Sequence, residues 1–130
     1  MAPVYTTPLS TAVIGAAIAV HRSLGPGLLE SAYNHCLERE FTQRGLKYAR
    51  ELAVPLGYNG STVDCGYRVD FVVESELVVE TKAVERILPV HHAQVLTYLK
   101  LLNLKHGLLI NFNVPLLKHG LKSFLRQHSG

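Results

Sequence analysis

Two strand-like runs decide how this chain folds: Gly66-Tyr67-Arg68-Val69-Asp70-Phe71-Val72-Val73 and Leu77-Val78-Val79-Glu80-Thr81-Lys82. Both are rich in β-branched and aromatic residues, which is typical of strands. Three ionisable residues, Asp70, Glu80 and Lys82, interrupt the apolar sequence. Because a short polar segment joins the runs, the stretch predicts an antiparallel hairpin with its turn at Ser75.

The register of this hairpin determines which side chains meet. A turn centred on Ser75 places Asp70 opposite Glu80, and Arg68 opposite Lys82. Since side chains alternate along a strand, these four residues share one face. The other face takes Val69, Phe71, Val73, Leu77, Val79 and Thr81. A slip of one residue would put Asp70 and Glu80 on opposite faces.

The Asp70–Glu80 pair points to a metal site. Two carboxylates directly opposed across strands cost about 0.2–1 kcal/mol without a counter-charge. Hard cations such as Mg²⁺ take carboxylate oxygens and remove that penalty. Two acids with Lys82 beside them therefore predict a site for metal-dependent phosphoryl chemistry. The alternative is a solvated hairpin face that carries charges without a ligand.

Composition sets the class of protein. At 130 residues and 48% hydrophobic, the chain predicts one globular domain over residues 1–130. A net charge of +3 permits contact with polyanions without requiring it. Cys36 and Cys65 lack metal-ligand spacing, which favours reduced thiols over a disulfide. The apolar stretch from Ala12 to Val20 is too short to span a membrane and has no basic segment before it, so we expect a cytoplasmic protein that does not contact membrane.

The remaining chain predicts the order ααβββαβα. A first helix, capped by Ser10, runs to about Leu24, and a second follows an apolar stripe from Leu29 to Phe41. The Asn59-Gly60 turn joins a strand over Glu51–Tyr58 to one that ends with Asp70. The Glu80 strand, a helix from Pro89 to about Asn103, a strand from His106 to Phe112 and a last helix after Pro115 complete the order.

These residues resemble a known pattern. An acid on one strand, Glu80-x-Lys82 on the next and Gln94-x-x-x-Tyr98 on the following helix resemble the PD-(D/E)xK, or restriction-endonuclease-like, nuclease superfamily. The segment from Gly27 through Glu30 to Tyr33 looks like the signature of the GxxExxY family, a branch of that superfamily. The likeness extends over about residues 10 to 126, and the order and spacing of its motifs carry it.

The resemblance implies a fold and a set of active-site residues. The fold is an α/β core of three antiparallel strands plus a further strand, flanked by helices. The active-site positions are Glu30, Asp70, Glu80, Lys82, Gln94 and Tyr98. The cofactor would be Mg²⁺, with Mn²⁺ as a substitute. Thr81 departs from the aliphatic residue usual at its position; since it points to the opposite face from Glu80, we expect a packing difference and no loss of chemistry.

Each role has a competing interpretation. Asp70, Glu80 and Glu30 would hold the metal, although Glu30 is alternatively an exposed helix glutamate. Lys82 would steady the attacking water or the phosphate, or else pair with Glu80 or Glu85. Gln94 and Tyr98 adjoin on one helix face, where they act directly or buttress Lys82. Arg68 clamps a phosphate or pairs with a carboxylate, and Tyr33 follows the apolar stripe, which favours packing.

A basic stripe is predicted on the last helix. Lys118, Lys122 and Arg126 lie at i, i+4 and i+8, so they would line one helix face and track a nucleic-acid backbone, unless that face is simply solvated. The function predicted overall is a magnesium-dependent nuclease acting on DNA or RNA. The alternative is a non-catalytic nucleic-acid-binding or scaffolding domain, and a homodimer or a protein partner is compatible with either.

Overall fold

The structure of the chain is a computed structural model that describes residues 7–127. Its elements, in chain order, are α1 (Pro8–Leu24), α2 (Glu30–Gln43), β1 (Tyr48–Ala53), β2 (Leu56–Tyr58), β3 (Ser61–Val63), β4 (Arg68–Val73), β5 (Leu77–Lys82), α3 (Pro89–Leu102), β6 (His106–Asn111), a short 3₁₀ helix (Leu117–Gly120) and β7 (Leu121–Leu125). The α/β class is as predicted.

A mixed five-stranded sheet forms the centre of the fold. Its strand order is β1-β4-β5-β6-β7, and every neighbouring pair is antiparallel except β5 and β6. Parallel neighbours need a crossover connection, and α3 provides it. The predicted core of three antiparallel strands (β1, β4 and β5) followed by a helix and a further strand is therefore confirmed.

Helices cover both faces of the sheet. Residues Phe71 and Val79 pack with α1 and α2 on one face, whereas Val72 and Val78 pack with α3 on the other. This alternation is the period-2 pattern of buried strands. Glu80 and Lys82 follow Val78 at two-residue steps, so they belong to the α3 side of β5.

The β4–β5 hairpin has the predicted register. Phe71 pairs with Val79 and Val73 with Leu77, so the turn is centred on Ser75. Glu74 and Ser75 both adopt positive φ angles, 53° and 57°, as the tight primed turns of hairpins require. The hairpin that brings the two acids together thus forms as the sequence predicts.

One residue of the hairpin lies on the other face from the one predicted. Val69 packs with Val72 and Val78 on the α3 side, and not with Phe71. The strict alternation fails next to Asp70, where the β1–β4 pairing omits Glu51, a residue with a positive φ of 52°. A left-handed residue distorts a regular ladder, and here the distortion lies directly beside a candidate site residue.

The predicted strand over Glu51–Tyr58 is two strands. It breaks at Pro55, which has no N–H to donate to a ladder. The Asn59-Gly60 turn is confirmed, with positive φ angles of 50° and 79°, but it joins β2 to β3 in a separate two-stranded sheet. The chain enters the main sheet again at Arg68.

Two helix predictions need correction. The first helix begins at Pro8 and its cap is Thr7, whose hydroxyl accepts a hydrogen bond from the Ser10 N–H at 3.1 Å. The prediction of a last helix after Pro115 is wrong. After one 3₁₀ turn the chain forms β7, which is antiparallel to β6. A Cβ on Gly120 would lie 2.1 Å from the carbonyl oxygen of Asn111, so this turn is pressed directly against the end of β6.

Two smaller predictions can also be checked. Cys36 and Cys65 are both free thiols. Within residues 7–127, no helix has the length and apolar character needed to cross a bilayer.

Candidate active site

The acids of the β4–β5 hairpin are joined by reciprocal hydrogen bonds. The backbone N–H of Asp70 donates to Glu80 Oε1 at 2.7 Å. The backbone N–H of Thr81 donates to Asp70 Oδ2 at 2.9 Å. Each carboxylate thus accepts a main-chain donor from the opposite strand, just beyond the last paired residues of the two strands, Phe71 and Val79. The predicted proximity of Asp70 and Glu80 is confirmed.

Both carboxylates are in an environment that disfavours negative charge. Glu80 is 2% exposed, and burial followed by the charge of Asp70 raises its pKa to about 8. Burial also raises the pKa of Asp70, against the hydrogen bonds from Thr81 and the charges of Lys82 and Arg50. Desolvation penalises the ionised form of a carboxylate, and a second carboxylate adds repulsion. At both carboxylates, the effect of burial on the pKa therefore outweighs that of the hydrogen bonds and nearby cations, which favour ionisation.

Lys82 ends β5 beside this pair. Its Nζ lies 3.9 Å from Glu80 Oε2, and its side chain is 18% exposed. The competing interpretation of Lys82, a salt bridge to Glu80, is thus present in the structure. The partial exposure leaves ammonium donors able to reach a ligand at the same time, since a lysine has three N–H donors.

Glu30 is the first residue of α2 and is half-buried. Burial raises its pKa, the charge of Asp70 raises it further, and Lys82 lowers it. Glu30 is therefore within electrostatic range of both residues, and it is partly buried, unlike the solvent-exposed helix glutamate of the alternative interpretation.

Gln94 and Tyr98 approach the acids from α3. Gln94 Nε2 donates to the Tyr98 hydroxyl at 3.1 Å, and Tyr98 is 3% exposed. Burial raises the pKa of Tyr98, and the charge of Glu80 raises it again. The predicted adjacency on one helix face is confirmed, and the phenol is close enough to Glu80 to be influenced by its charge.

A buried polar link behind Asp70 was not anticipated. The Thr81 hydroxyl lies 2.6 Å from Asn34 Oδ1 and 3.1 Å from Asp70 Oδ2. Thr81 is fully buried and Asn34 is 5% exposed. The expectation that Thr81 differs from an aliphatic residue in packing alone is wrong, because its hydroxyl connects α2 to a site carboxylate. An asparagine next to the apolar stripe of α2 was the available signal.

Arg68 lies away from the pair. It is opposite Ala53 of β1, and its guanidinium lies 3.3 Å from Asp64 while donating to the Tyr67 carbonyl oxygen. Of the two interpretations of Arg68, the structure shows the ion pair with a carboxylate. The predicted pairing of Arg68 with Lys82 is wrong, since the β4–β5 ladder stops before either residue.

The predicted helical stripe of basic residues does not form. Lys118 lies on the 3₁₀ turn and Lys122 on β7, because the segment is not an α-helix. Arg126 donates to the Leu104 carbonyl oxygen at 3.0 Å and to Asn103 Oδ1 at 2.7 Å. The three side chains therefore occupy different settings.

The donor set fits a hard divalent cation. Within the described part of the chain, no three His, Cys, Asp or Glu side chains are grouped to hold an ion. Mg²⁺ does not require such a cage, because it is commonly bound through one or two carboxylates together with waters and substrate phosphates. Asp70 and Glu80 supply those carboxylates, and a positive charge placed beside them would favour their ionised forms.

The comparison with protein families agrees with this geometry. A family model described as the PD-(D/E)XK nuclease superfamily matches residues 7–124, which run from the α1 cap through most of β7. The chain therefore belongs to the PD-(D/E)XK nuclease superfamily. Membership indicates a nuclease-type function with nucleic acid as the class of substrate, and nucleases of this superfamily typically use divalent metals. No curated protein and no solved structure is significantly similar to the chain.

Proposed function

We propose that this chain is a magnesium-dependent nuclease that hydrolyses phosphodiester bonds in DNA or RNA, acting as a single domain over residues 1–130. The observation that carries the proposal is the reciprocal Asp70–Glu80 pair where the β4–β5 ladder ends, with Glu80 buried and Lys82 Nζ 3.9 Å from its Oε2. An acid pair can hold a divalent cation and an adjacent lysine can donate to a phosphate, and superfamily membership supports their use in nuclease chemistry.

Asp70 and Glu80 would hold the metal, with Glu30 contributing from α2. A bound divalent cation polarises the scissile phosphate and lowers the pKa of its water. The protein's part is to keep both carboxylates fixed, which the backbone donors at Asp70 and Thr81 do. Glu30 is less buried than either, so it is suited to contact a ligand through water.

Lys82 supplies a mobile positive charge beside the carboxylates. A compact ammonium on a flexible stem can donate to the attacking water or to a phosphate oxygen. Placed in a largely desolvated setting, such a donor stabilises charge that develops in the transition state more strongly than water does. We therefore assign Lys82 to the chemical step and not to metal affinity.

Gln94 and Tyr98 form the α3 side of the site. Their mutual hydrogen bond fixes the phenol, and Tyr98 is sensitive to the charge of Glu80. In the proposed enzyme the Gln94 amide has a remaining N–H for a phosphate oxygen, while Tyr98 holds the amide in place.

We further propose that the chain belongs to the GxxExxY branch, because the signature residues have a shared structural purpose. Gly27 has a φ of 97°, and its N–H donates to Asn113 Oδ1 at 3.1 Å. The Tyr33 hydroxyl donates to the Gly25 carbonyl oxygen at 2.6 Å and accepts from the Leu28 N–H at 3.2 Å. These bonds fix the loop that presents Glu30 at the start of α2.

A substrate panel tests the proposed function. The protein is incubated with single- and double-stranded DNA and RNA, with and without Mg²⁺ or Mn²⁺. We expect cleavage of at least one substrate that requires the metal and is lost in Lys82→Ala. Absence of cleavage in every arm, with intact binding of nucleic acid, would favour the non-catalytic binding domain.

A further inference from the structure

A groove with basic walls lies at the same end of the sheet as the acids. Its volume is about 440 Å³, and it runs between the segment after β5, the start of α3 and the beginning of β7. The basic side chains that line it are Arg86, His92, His119 and Lys122. One acidic side chain, Glu85, also lines it. We call this feature the basic groove.

The basic groove is next to the candidate active site in the sheet. Asn111 lines the groove and pairs with Lys82 across the parallel β5–β6 ladder. The Asn111 side chain also accepts from the Val84 N–H at 3.1 Å and donates to its carbonyl oxygen at 2.9 Å. These bonds tie the chain that follows Lys82 to the end of β6, one residue before the groove wall begins at Glu85.

The basic groove carries a net positive charge, because its two full cations, Arg86 and Lys122, outnumber its one acid, Glu85. Arg44, Arg50 and Arg68 all lie within 4.0 Å of a carboxylate. Among residues 7–127, in contrast, neither Arg86 nor Lys122 takes part in an ion pair. Two unpaired cations that line one groove attract anions electrostatically.

The walls of the basic groove are also well supported. The His92 ring packs edge-on against Phe124, with centroids 5.6 Å apart and planes at 77°. On the opposite side, close contact of the Gly120 backbone with Asn111 fixes the turn that carries His119 and leads to Lys122. A preformed groove loses little conformational freedom when a ligand enters.

We propose that the basic groove binds the phosphate backbone of the nucleic-acid strand beside the bond that is cleaved, with Arg86 and Lys122 as the main phosphate contacts. This inference rests on the proposed nuclease function and deepens it. Arg86 supplies a planar, bidentate donor suited to phosphate, and Lys122 a point charge. Lys122 would thus contact nucleic acid from a strand and not from the helical stripe that its spacing had suggested.

The test is salt-dependent binding of labelled 16-nucleotide single- and double-stranded DNA and RNA. It uses Asp70→Asn protein, which prevents cleavage, with and without Arg86→Gln/Lys122→Gln. Two lost phosphate contacts should lower the slope of log affinity against log salt by about 1.4 on single strands and about 1.8 on duplex DNA. Between 1 M and 0.1 M salt, two such contacts correspond to about 25-fold on single strands and about 60-fold on duplex DNA, so at 0.1 M salt affinity should fall at least tenfold.

A matched control separates the groove from general charge. Lys100→Gln/Lys105→Gln removes the same charge from exposed positions toward the other end of α3 and β6, and it should bind like the parent. An equal loss of affinity in both double variants, or no loss in the Arg86→Gln/Lys122→Gln variant, would contradict phosphate binding by the basic groove. Either result would leave the nuclease proposal standing. If the parent binds none of the four probes, both proposals fail together.

Discussion

Asp70 gives its backbone N–H to the side chain of Glu80, and its own carboxylate accepts the N–H of the residue that follows Glu80. Carboxylates thus replace carbonyl oxygens as acceptors where the β4–β5 ladder ends. The two strands remain joined, but two carboxyl groups are held close together, that of Glu80 buried and that of Asp70 partly buried. The fold can keep such a pair if protons, neighbouring cations or a bound metal compensate for it.

The first prediction concerns the pH dependence of stability without metal. Because the pKa of Glu80 is raised to about 8, the native state retains a proton that the unfolded chain releases near pH 4.5. The stabilisation is therefore complete below about pH 4.5 and is lost as the pH rises to 8, at about 1.36 kcal/mol per pH unit while only the native state is protonated. The total loss should be a few kcal/mol.

Chemical unfolding in EDTA at intervals from pH 4.5 to 9 measures this slope. Glu80→Gln should flatten most of it, and the residual slope from Asp70 should have the same sign because the pKa of Asp70 is raised as well. Glu76→Gln, at an exposed position in the β4–β5 turn, is the matched control and should keep the slope of the wild type. A wild-type stability that is flat or rises over this range would contradict the burial argument.

The second prediction concerns the link between Asn34 and Thr81. Thr81→Val preserves shape but leaves the buried Asn34 amide without its 2.6 Å partner, which should cost about 1–3 kcal/mol of unfolding free energy. Metal affinity should also fall, because the Asp70 carboxylate is then positioned by the Thr81 N–H alone, without the hydroxyl that lies 3.1 Å from its Oδ2. The companion double variant Asn34→Leu/Thr81→Val should recover part of the stability but not the affinity.

Thr97→Val, at an exposed position on α3, controls for the substitution itself. Urea titration and calorimetric metal titration give the two quantities separately. If Thr81→Val changed neither, the polar link would be incidental to Asp70.

The third prediction concerns the loop before α2. Tyr33→Phe keeps the stacking of the ring on Phe112, 4.4 Å between centroids, but removes the hydroxyl that bonds Gly25 and Leu28. Unfolding free energy should fall by about 1–2 kcal/mol, and metal affinity should weaken as Glu30 becomes less well placed. Tyr58 is 66% exposed, so the control variant Tyr58→Phe should change neither the unfolding free energy nor the metal affinity. If metal affinity were weakened in Glu30→Gln but not in Tyr33→Phe, Glu30 would contribute to metal binding without depending on the loop that Tyr33 holds.

The hairpin and its acids could be predicted because their signals are local. The turn is centred on Ser75, and side chains alternate along β5 from Val78 to Glu80 and Lys82. These two signals lie close together in the sequence and determine which side chains meet. The same reasoning failed at Val69, where a positive φ at Glu51, on a different strand, interrupts the alternation.

The features that could not be predicted depend on distant contacts. The spacing of Lys118 and Lys122 fits a helix, yet the segment becomes β7 because it pairs with β6 and because Gly120 must lie against Asn111. Likewise, Asn34 and Thr81 are 47 residues apart, so sequence alone gives no indication that they form one hydrogen-bonded link.

The central claim is that Asp70 and Glu80 form a metal site that Lys82 serves without binding the metal. The most direct measurement is the change in unfolding free energy on adding Mg²⁺ to the wild type, Asp70→Asn and Lys82→Ala, with Asp64→Asn as an exposed control. At a concentration one hundred times the dissociation constant, Mg²⁺ should stabilise the wild type by about 2.7 kcal/mol. Lys82→Ala and Asp64→Asn should retain this stabilisation, and Asp70→Asn should lose it. Stabilisation of Asp70→Asn equal to that of the wild type, or none in the wild type, would contradict the account.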